Sequence, residues 1–466
     1  MKGEYGAAVQ SILQAELKGD LLSQYPEIWP LVRYPFSEYI AGRFRSSSSK
    51  KRRGFFKRAI FLLYSLCSKN PILACRKKFI FISHPRKKVI SGNCIDIYTR
   101  PLIDLTGIDE DSACLEKIDE HGGHLGCGRN VYYLDCFLFA SLFLSKIFML
   151  NSKEKQLIGF LCDNFSHEVK SYEIKRFCCS VIKKNKAQSF LWGLYFKISQ
   201  AKIVFVVNGA GNESVILAAK RNGITTIELQ HGTPAQGKLN YDYPEGFLKQ
   251  CFCDYFFSFG NKVLCSANLP VQKQRIIPMG FPFLEMRRSE VCSAVKDRVL
   301  VISQPNLRDV LKQILPKLAL ECSKPIYIKL HPGEVEYKST IQSYYKNYPS
   351  IHVVDDTDFD LYELFSLSEV VLGFFSTALY EAVEFSARVV VLSNEFMSKS
   401  AINVDIDKAM EPAINGGFMH KVSNMSELID ELSLSAPQNL VNSPRIFLPF
   451  DSDRFLSVIC AIEADR

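Results

Sequence analysis

The sequence predicts an α/β protein with two doubly wound parallel sheets and a helical segment ahead of them. Three observations lead to that expectation. The chain has 466 residues, more than one hydrophobic core ordinarily organises. From "KKFIFIS" (Lys77 to Ser83) onward, short β-branched runs alternate with helix-like segments, the pattern of parallel βαβ units. That rhythm breaks once, at "IIPMGFPFLEMRRSEVCSAVKD" (Ile276 to Asp297), where prolines, a glycine and a charge-rich tail precede a fresh strand, as a connection between two Rossmann-like domains would.

Residues 1 to 45 read as helical. "SSSSKKRRGFFKRAIFLLYSL" (Ser46 to Leu66) follows, a serine run and six basic residues leading into an aromatic and aliphatic helix. Basic residues between Lys50 and Arg58 could meet anionic headgroups while Phe55 and Phe56 enter the interface; the alternative is a solvated charge run ahead of a core helix. "CFLFASLFLSKIFML" (Cys136 to Leu150) is too short for a membrane span of roughly 20 residues and is interrupted by Lys146, so it is expected to be a buried helix. The strands expected next end at Val207, Leu229, Phe259, Ser303, Leu330, Phe374 and Leu392, with helices such as "ESVILAAKRN" and "STALYEAVEFS" between them. The closing helix "SDRFLSVICAIEADR" is expected to pack back on the first domain.

Composition narrows the function classes. Hydrophobic residues make up 47% and charged residues 23%, the balance of a globular chain and not of a disordered or multi-span one. The net charge of +8 suits anionic ligands or an anionic membrane surface; no nucleic-acid-binding signature accompanies it, so no nucleic-acid partner is expected. The fifteen cysteines lie in apolar contexts such as Cys136, Cys162 and Cys460 and read as reduced, buried thiols. Neither Cys178-Cys179 nor Cys251-x-Cys253 has zinc-ligand spacing. The N-terminus has no apolar signal region, which predicts a cytoplasmic address, with peripheral contact at the inner face of the membrane.

In open α/β sheets ligands bind beyond the carboxyl ends of strands, so polar residues at those ends are the candidates. "KLHPGE" puts Lys329, His331 and Pro332 directly after a strand, where an imidazole can donate to a phosphate oxygen or simply close a turn. "FFSTALYEA" places Ser376 and Thr377 where a helix starts, as an anion site or a plain cap, and Glu381 one turn on, where a carboxylate could accept from ribose hydroxyls. "VISQPN" offers Ser303 and Gln304 to a phosphate. "NGAGNE" (Asn208 to Glu213) is a Gly-rich turn into a helix that fits neither a dinucleotide fingerprint nor a P-loop. Glu213 and His231, in the loops after two successive strands, are the equipment for proton transfer to or from a hydroxyl. The acidic run Asp355 to Asp358 starts a helix and is not expected to hold a metal.

Gln230-His231-Gly232-Thr233, Gly280-Phe-Pro282, Lys329-Leu-His331-Pro332 and Ser376-Thr377, in this order, resemble bacterial glycosyltransferases of surface-polysaccharide assembly with the GT-B fold. The similarity spans residues 77 to 395. The groups it points to use CMP-sugars: sialyltransferases and polysialyltransferases with His-Pro and Ser-Ser/Thr motifs, and capsule or lipopolysaccharide Kdo transferases. CDP-glycerol glycerophosphotransferases are similar too, with Trp-His-Gly where this chain has Gln-His-Gly.

The resemblance implies two Rossmann-like domains facing each other across a cleft. The domains expected are a helical, membrane-associating region (1–72), an acceptor domain (73–285), a nucleotide-sugar domain (286–435) and a C-terminal helix returning to the first domain (436–466). It implies transfer of a nonulosonic acid, of the sialic acid or Kdo type, from a CMP-sugar donor to an oligosaccharide or lipid-linked glycan acceptor, without metal or cofactor. His331, Ser376 and Thr377 would bind the CMP phosphate, and Glu381 the ribose. The Asp/Glu-Asp/Glu-Gly motif that supplies the base in many bacterial sialyltransferases is absent, leaving Glu213, His231 and, in reserve, Asp242. The alternatives are CDP-glycerol or ribitol phosphate transfer on the same fold, and a non-catalytic scaffold.

Overall fold

The computed structural model describes residues 5–42, 55–84, 87–90, 93–117, 130–290, 295–305, 307–397, 406–434 and 445–465. The chain forms two compact units: unit 1 comprises Met1–Phe259, Ala267–Phe283 and Phe450–Arg466, and unit 2 comprises Gly260–Ser266 and Leu284–Pro449.

Unit 1 is centred on seven parallel strands: β1 (Phe79–Ile82), β4 (Ser112–Glu116), β5 (Val131–Tyr133), β6 (Ile203–Val207), β7 (Thr225–Leu229), β8 (Tyr255–Ser258) and β9 (Ile276–Pro278). A small antiparallel hairpin, β2 (Lys87–Ile90) and β3 (Asn93–Asp96), follows β1. The sheet order is β5-β4-β1-β6-β7-β8-β9, so the order reverses between β1 and β6. Strands β1, β4 and β6 are buried along their whole length, as central parallel strands covered by helices must be.

Helices Tyr5–Lys18, Trp29–Ile40 and Ser152–Phe165 and the start of Ser171–Ile198 make a second core around Trp29, Phe36, Leu161 and Phe165. Its polar centre is Arg33, 1% exposed. Arg33 pairs with Glu16 at 2.6 Å and donates to the carbonyls of Leu239 at 2.9 Å and Asp242 at 2.7 Å. The guanidinium also lies 4.5 Å over the Tyr243 ring. The N-terminal helices therefore buttress the loop that follows β7.

Unit 2 repeats the plan with β10 (Arg298–Ile302), β11 (Ile326–Lys329), β12 (Ile351–Val354), β13 (Ser368–Gly373), β14 (Arg388–Leu392) and β15 (His420–Val422), ordered β12-β11-β10-β13-β14-β15. All pairings in this sheet are parallel, and the order reverses between β10 and β13. The two Rossmann-like sheets expected from sequence are present, and each strand expected by its end residue stops within one residue of it.

Two sequence expectations fail. The run Cys136–Leu150 does form a helix, Asp135–Ile147, but it is not buried: Ser141 is its one fully buried residue, and Phe139, Leu142, Phe143 and Ile147 are between 48% and 74% exposed. Hydrophobicity alone does not say which side of a helix meets the core. Likewise Cys136 and Cys162 are half-buried and Cys460 is exposed, where buried thiols were expected. The side chains of the Lys50–Arg58 run lie outside the described residues.

Candidate active site

In a sheet of this order the crevice beyond the carboxyl ends forms where the strand order reverses. In unit 1 that point lies between β1 and β6. Asn208, just past β6, has a φ of 66° and caps its own turn by accepting from the Ala210 N–H at 3.2 Å, a left-handed conformation that asparagine tolerates. Gly211 follows at a φ of 83°. Gly209 is required for a different reason: a Cβ there would stand 2.5 Å from Glu228 Oε2.

Glu228 lies inside β7, with no exposed surface. Burial pushes its carboxyl from the ordinary 4.5 up to about 7, against the opposing effect of the Tyr241 hydroxyl and the Gly209 amide. Tyr241 donates to Glu228 Oε1 at 2.5 Å, and the same hydroxyl stands 3.2 Å from His231 Nδ1. The backbone carbonyl of His231 accepts from the Tyr98 hydroxyl at 2.8 Å, and the His231 and His84 rings lie 5.5 Å apart. Asp96 fixes this neighbourhood by accepting from the backbone N–H groups of His84 at 2.8 Å and Tyr98 at 2.9 Å. Burial raises the Asp96 carboxyl to about 6. Gln230 is locked by two bonds, accepting from Phe259 N–H at 2.7 Å and donating to the Gly232 carbonyl at 2.8 Å.

One tyrosine proton shared between two neighbours links their states. With Glu228 ionised, the Tyr241 O–H points at the carboxylate. His231 then donates Nδ1–H to the tyrosine oxygen, and Nε2 holds the lone pair of a base. With Glu228 protonated, the Tyr241 O–H can turn to Nδ1 and the proton moves to Nε2. A carboxylate that sets the tautomer of an imidazole is the arrangement of a general base held by a third group.

The other unit 1 candidates are placed as follows. Glu213 is 5% exposed, accepts from Gly211 N–H at 2.8 Å and lies 3.9 Å from the buried Lys249. Lys117, after β4, donates to Asn212 Oδ1 at 2.6 Å, and burial lowers it to about 8. Both Asp242 carboxylate oxygens serve the loop itself, accepting from Gly237 N–H at 2.6 Å and Asn268 N–H at 3.0 Å. The structure thus joins His231 to Glu228 through Tyr241, a pairing that sequence reasoning missed.

In unit 2 the reversal lies between β10 and β13, and Gln304 spans it by donating to the Phe375 carbonyl at 2.6 Å. Ser303 is buried, with its N–H on the Lys329 carbonyl at 3.0 Å. Ser376 accepts from Ala378 N–H at 3.2 Å, capping the Thr377–Val383 helix. His331 is exposed, and its Nδ1 accepts from Gly333 N–H at 3.1 Å within a capping box completed by Glu334. That fixes the neutral ring with its proton on Nε2, a donor at the sheet edge. Pro332 opens the short helical turn that follows. Lys329 is held by the Phe359 carbonyl at 2.7 Å and Asp356 at 2.6 Å. Glu381 is 3% exposed and accepts from the Tyr362 hydroxyl at 2.7 Å.

No family profile matches the chain, and no curated protein matches it in sequence. Among solved structures it is similar to UDP-GlcNAc 2-epimerase from Methanocaldococcus jannaschii, at 9% identity over 83% of this chain and 99% of that one, with a TM-score of 0.47. UDP-GlcNAc 2-epimerase from Neisseria meningitidis, bound to UDP-GlcNAc, matches at 11% identity over 83% and 100%, with a TM-score of 0.44. The wall teichoic acid polymerase TagF, in a variant soaked with CDPG, matches at 12% identity over 93% and 97%, with a TM-score of 0.40. These likenesses are distant ones of fold and assign no role to any residue.

Proposed function

We propose that the chain is a GT-B glycosyltransferase that moves a nonulosonic acid from a CMP-linked donor to a hydroxyl of a glycan acceptor. The observation that supports this most is the line Glu228–Tyr241–His231 at the carboxyl edge of the unit 1 sheet. A base set in this way removes a proton from a hydroxyl. A buried carboxylate tied through one hydroxyl to an imidazole at a strand end is an arrangement found at functional sites.

In this reading unit 2 holds the nucleotide. His331, donating from Nε2, meets the donor phosphate, with Ser376, Thr377, Gln304 and Ser303 along the same sheet edge. Unit 1 receives the acceptor. The acceptor oxygen bonds to the anomeric carbon as the bond from that carbon to the phosphate oxygen of CMP breaks. Its proton passes to His231 Nε2, and CMP leaves with the electron pair as a phosphate stabilised by the unit 2 donors. Glu228, through Tyr241, takes up part of the charge that develops on the imidazole. Glu213 and Asp242 would act by shaping the two loops and not on the acceptor.

Side-by-side assays with CMP-sialic acid, CMP-Kdo and CDP-glycerol, following nucleotide release, test the reading. Release of CMP from either sugar donor, lost in His231→Ala, is expected. Turnover of CDP-glycerol alone would replace sugar transfer by glycerol phosphate transfer, and no turnover of any donor would overturn the transferase reading.

A further inference from the structure

Unit 1 turns apolar stripes outward on three neighbouring helices. The Phe55–Cys67 helix exposes Ile60, Leu63 and Tyr64 at 51–61%. The Asp135–Ile147 helix exposes Phe139, Leu142, Phe143 and Ile147, and the end of the Ser171–Ile198 helix exposes Phe190, Leu194 and Ile198 at 47–61%. Each set follows the helical repeat of three and four residues, the spacing that marks the core-facing side of a helix in a globular protein. Here that side faces out.

The three helices that carry these stripes pack against one another in sequence. Ser65, on the first helix, donates to the Tyr133 carbonyl at 2.6 Å and accepts from Cys136 N–H at 3.1 Å, tying it to the second. The second meets the third through Phe137 on Trp192, centroids 4.4 Å apart, and Phe148 on Phe190, 6.2 Å apart. Just past the first of these helices, the turn Pro71–Ala74 also exposes Ile72 and Leu73, at 59% and 58%. Exposed apolar stripes on helices packed side by side mark an interaction site.

Charge identifies the partner. Between Glu38 and Asp96 the sequence has fifteen Lys and Arg and no Asp or Glu. Set against a whole-chain net charge of +8, these leave the rest of the chain at −7. Lys87 is spent on Glu116 and Lys78 on Glu463 inside unit 1, but six of the fifteen lie in the Lys50–Arg58 run that leads into the first exposed helix. Lys146 stands in the stripe itself, its Nζ 5.4 Å over the Phe143 ring, and the exposed Lys197 adjoins Ile198. Aromatic and aliphatic side chains interleaved with Lys146 and Lys197, on a chain whose positive charge is concentrated between Glu38 and Asp96, fit the headgroup region of an anionic bilayer.

Among the described residues no single helix is long and apolar enough to cross a membrane. One bent pair, Asp135–Ile147 with Ser152–Phe165, has the length and composition. The second helix of that pair buries Leu157, Leu161 and Phe165 in the protein core, so the pair can lie on a bilayer but not span it.

We infer that this three-helix face is a docking surface for an anionic lipid bilayer, seated at headgroup depth. The inference rests on unit 1 alone and stands apart from the transferase reading. The test is flotation of the full chain with vesicles of phosphatidylcholine, with and without phosphatidylglycerol. The chain should float with the anionic vesicles at least about tenfold more strongly than with the neutral ones, and less so as salt rises. The double change Phe139→Ser and Phe143→Ser should lower binding by roughly tenfold or more, as expected when buried aromatic surface is lost. Its thermal midpoint should hold, because both side chains are exposed. Leu320→Ser, at a residue 79% exposed in unit 2, should leave flotation unchanged. Absence of flotation, or equal flotation of the double variant, overturns the inference. So does a dimer seen by sedimentation velocity without lipid that Phe143→Ser dissolves, since the face would then be covered by a second copy.

Discussion

Replacing Glu228 by glutamine should make unit 1 more stable at alkaline pH and flatten its pH dependence. The native carboxyl titrates at about 7 against an ordinary 4.5. Between those values the folded state holds a proton that the unfolded state has released. Stability therefore falls by about 1.4 kcal/mol per pH unit across that window and levels off above it. The full deficit is about 3 kcal/mol. Glutamine cannot ionise, and its carbonyl can still accept the Tyr241 hydroxyl. Trp29 and Trp192 are the chain's two tryptophans and both lie in unit 1, so their fluorescence during urea unfolding reports on that unit alone. Between about pH 6 and about pH 8 the midpoint should fall in the wild type and stay level in Glu228→Gln, while above that window the buried Lys117, lowered to about 8, acts on both proteins alike. Asp96, raised by burial to about 6, contributes a lower-pH decline of the same sign in both proteins. Parallel curves through neutrality would refute a buried, ionising Glu228 and, with it, the coupling to His231.

Tyr241→Phe removes the hydroxyl that joins Glu228 to His231 without touching either. Turnover should fall about 10- to 100-fold, while nucleotide affinity, measured by calorimetry, should be unchanged. Gly209→Ala places a methyl 2.5 Å from Glu228 Oε2, forcing the carboxylate off Tyr241; a loss of about 1–3 kcal/mol is expected from the tryptophan-detected unfolding curve.

The long buried strands were legible because a parallel strand covered on both faces reads as an unbroken apolar run, as in "RVLVIS" and "AKIVFVV". The short edge strands were not: β15 is His420–Val422 with two exposed residues, and β12 has His352 in its middle. The same logic explains the site. Residues just past strand ends, such as His231 and His331, stand out in sequence, whereas Glu228 sits within a strand and its partner Tyr241 arrives from a loop thirteen residues on. A carboxylate in the middle of the buried run "TTIEL" was the available signal, and the neighbouring Asp242 drew attention in place of Tyr241. The outward apolar stripe of the Asp135–Ile147 helix escaped because composition records how apolar a helix is and not where its neighbours stand.

The central claim is that unit 2 binds the donor's cytidine nucleotide through the sheet edge that carries His331. Titration calorimetry of CMP into the wild type and into His331→Asp tests it most directly. Aspartate keeps an acceptor for the Gly333 N–H, preserving the cap, but sets a negative charge where the phosphate would lie. The account predicts CMP binding to the wild type and a loss of at least tenfold in the variant, with the thermal midpoint unchanged. No CMP binding, or equal affinity in the two proteins, would contradict it.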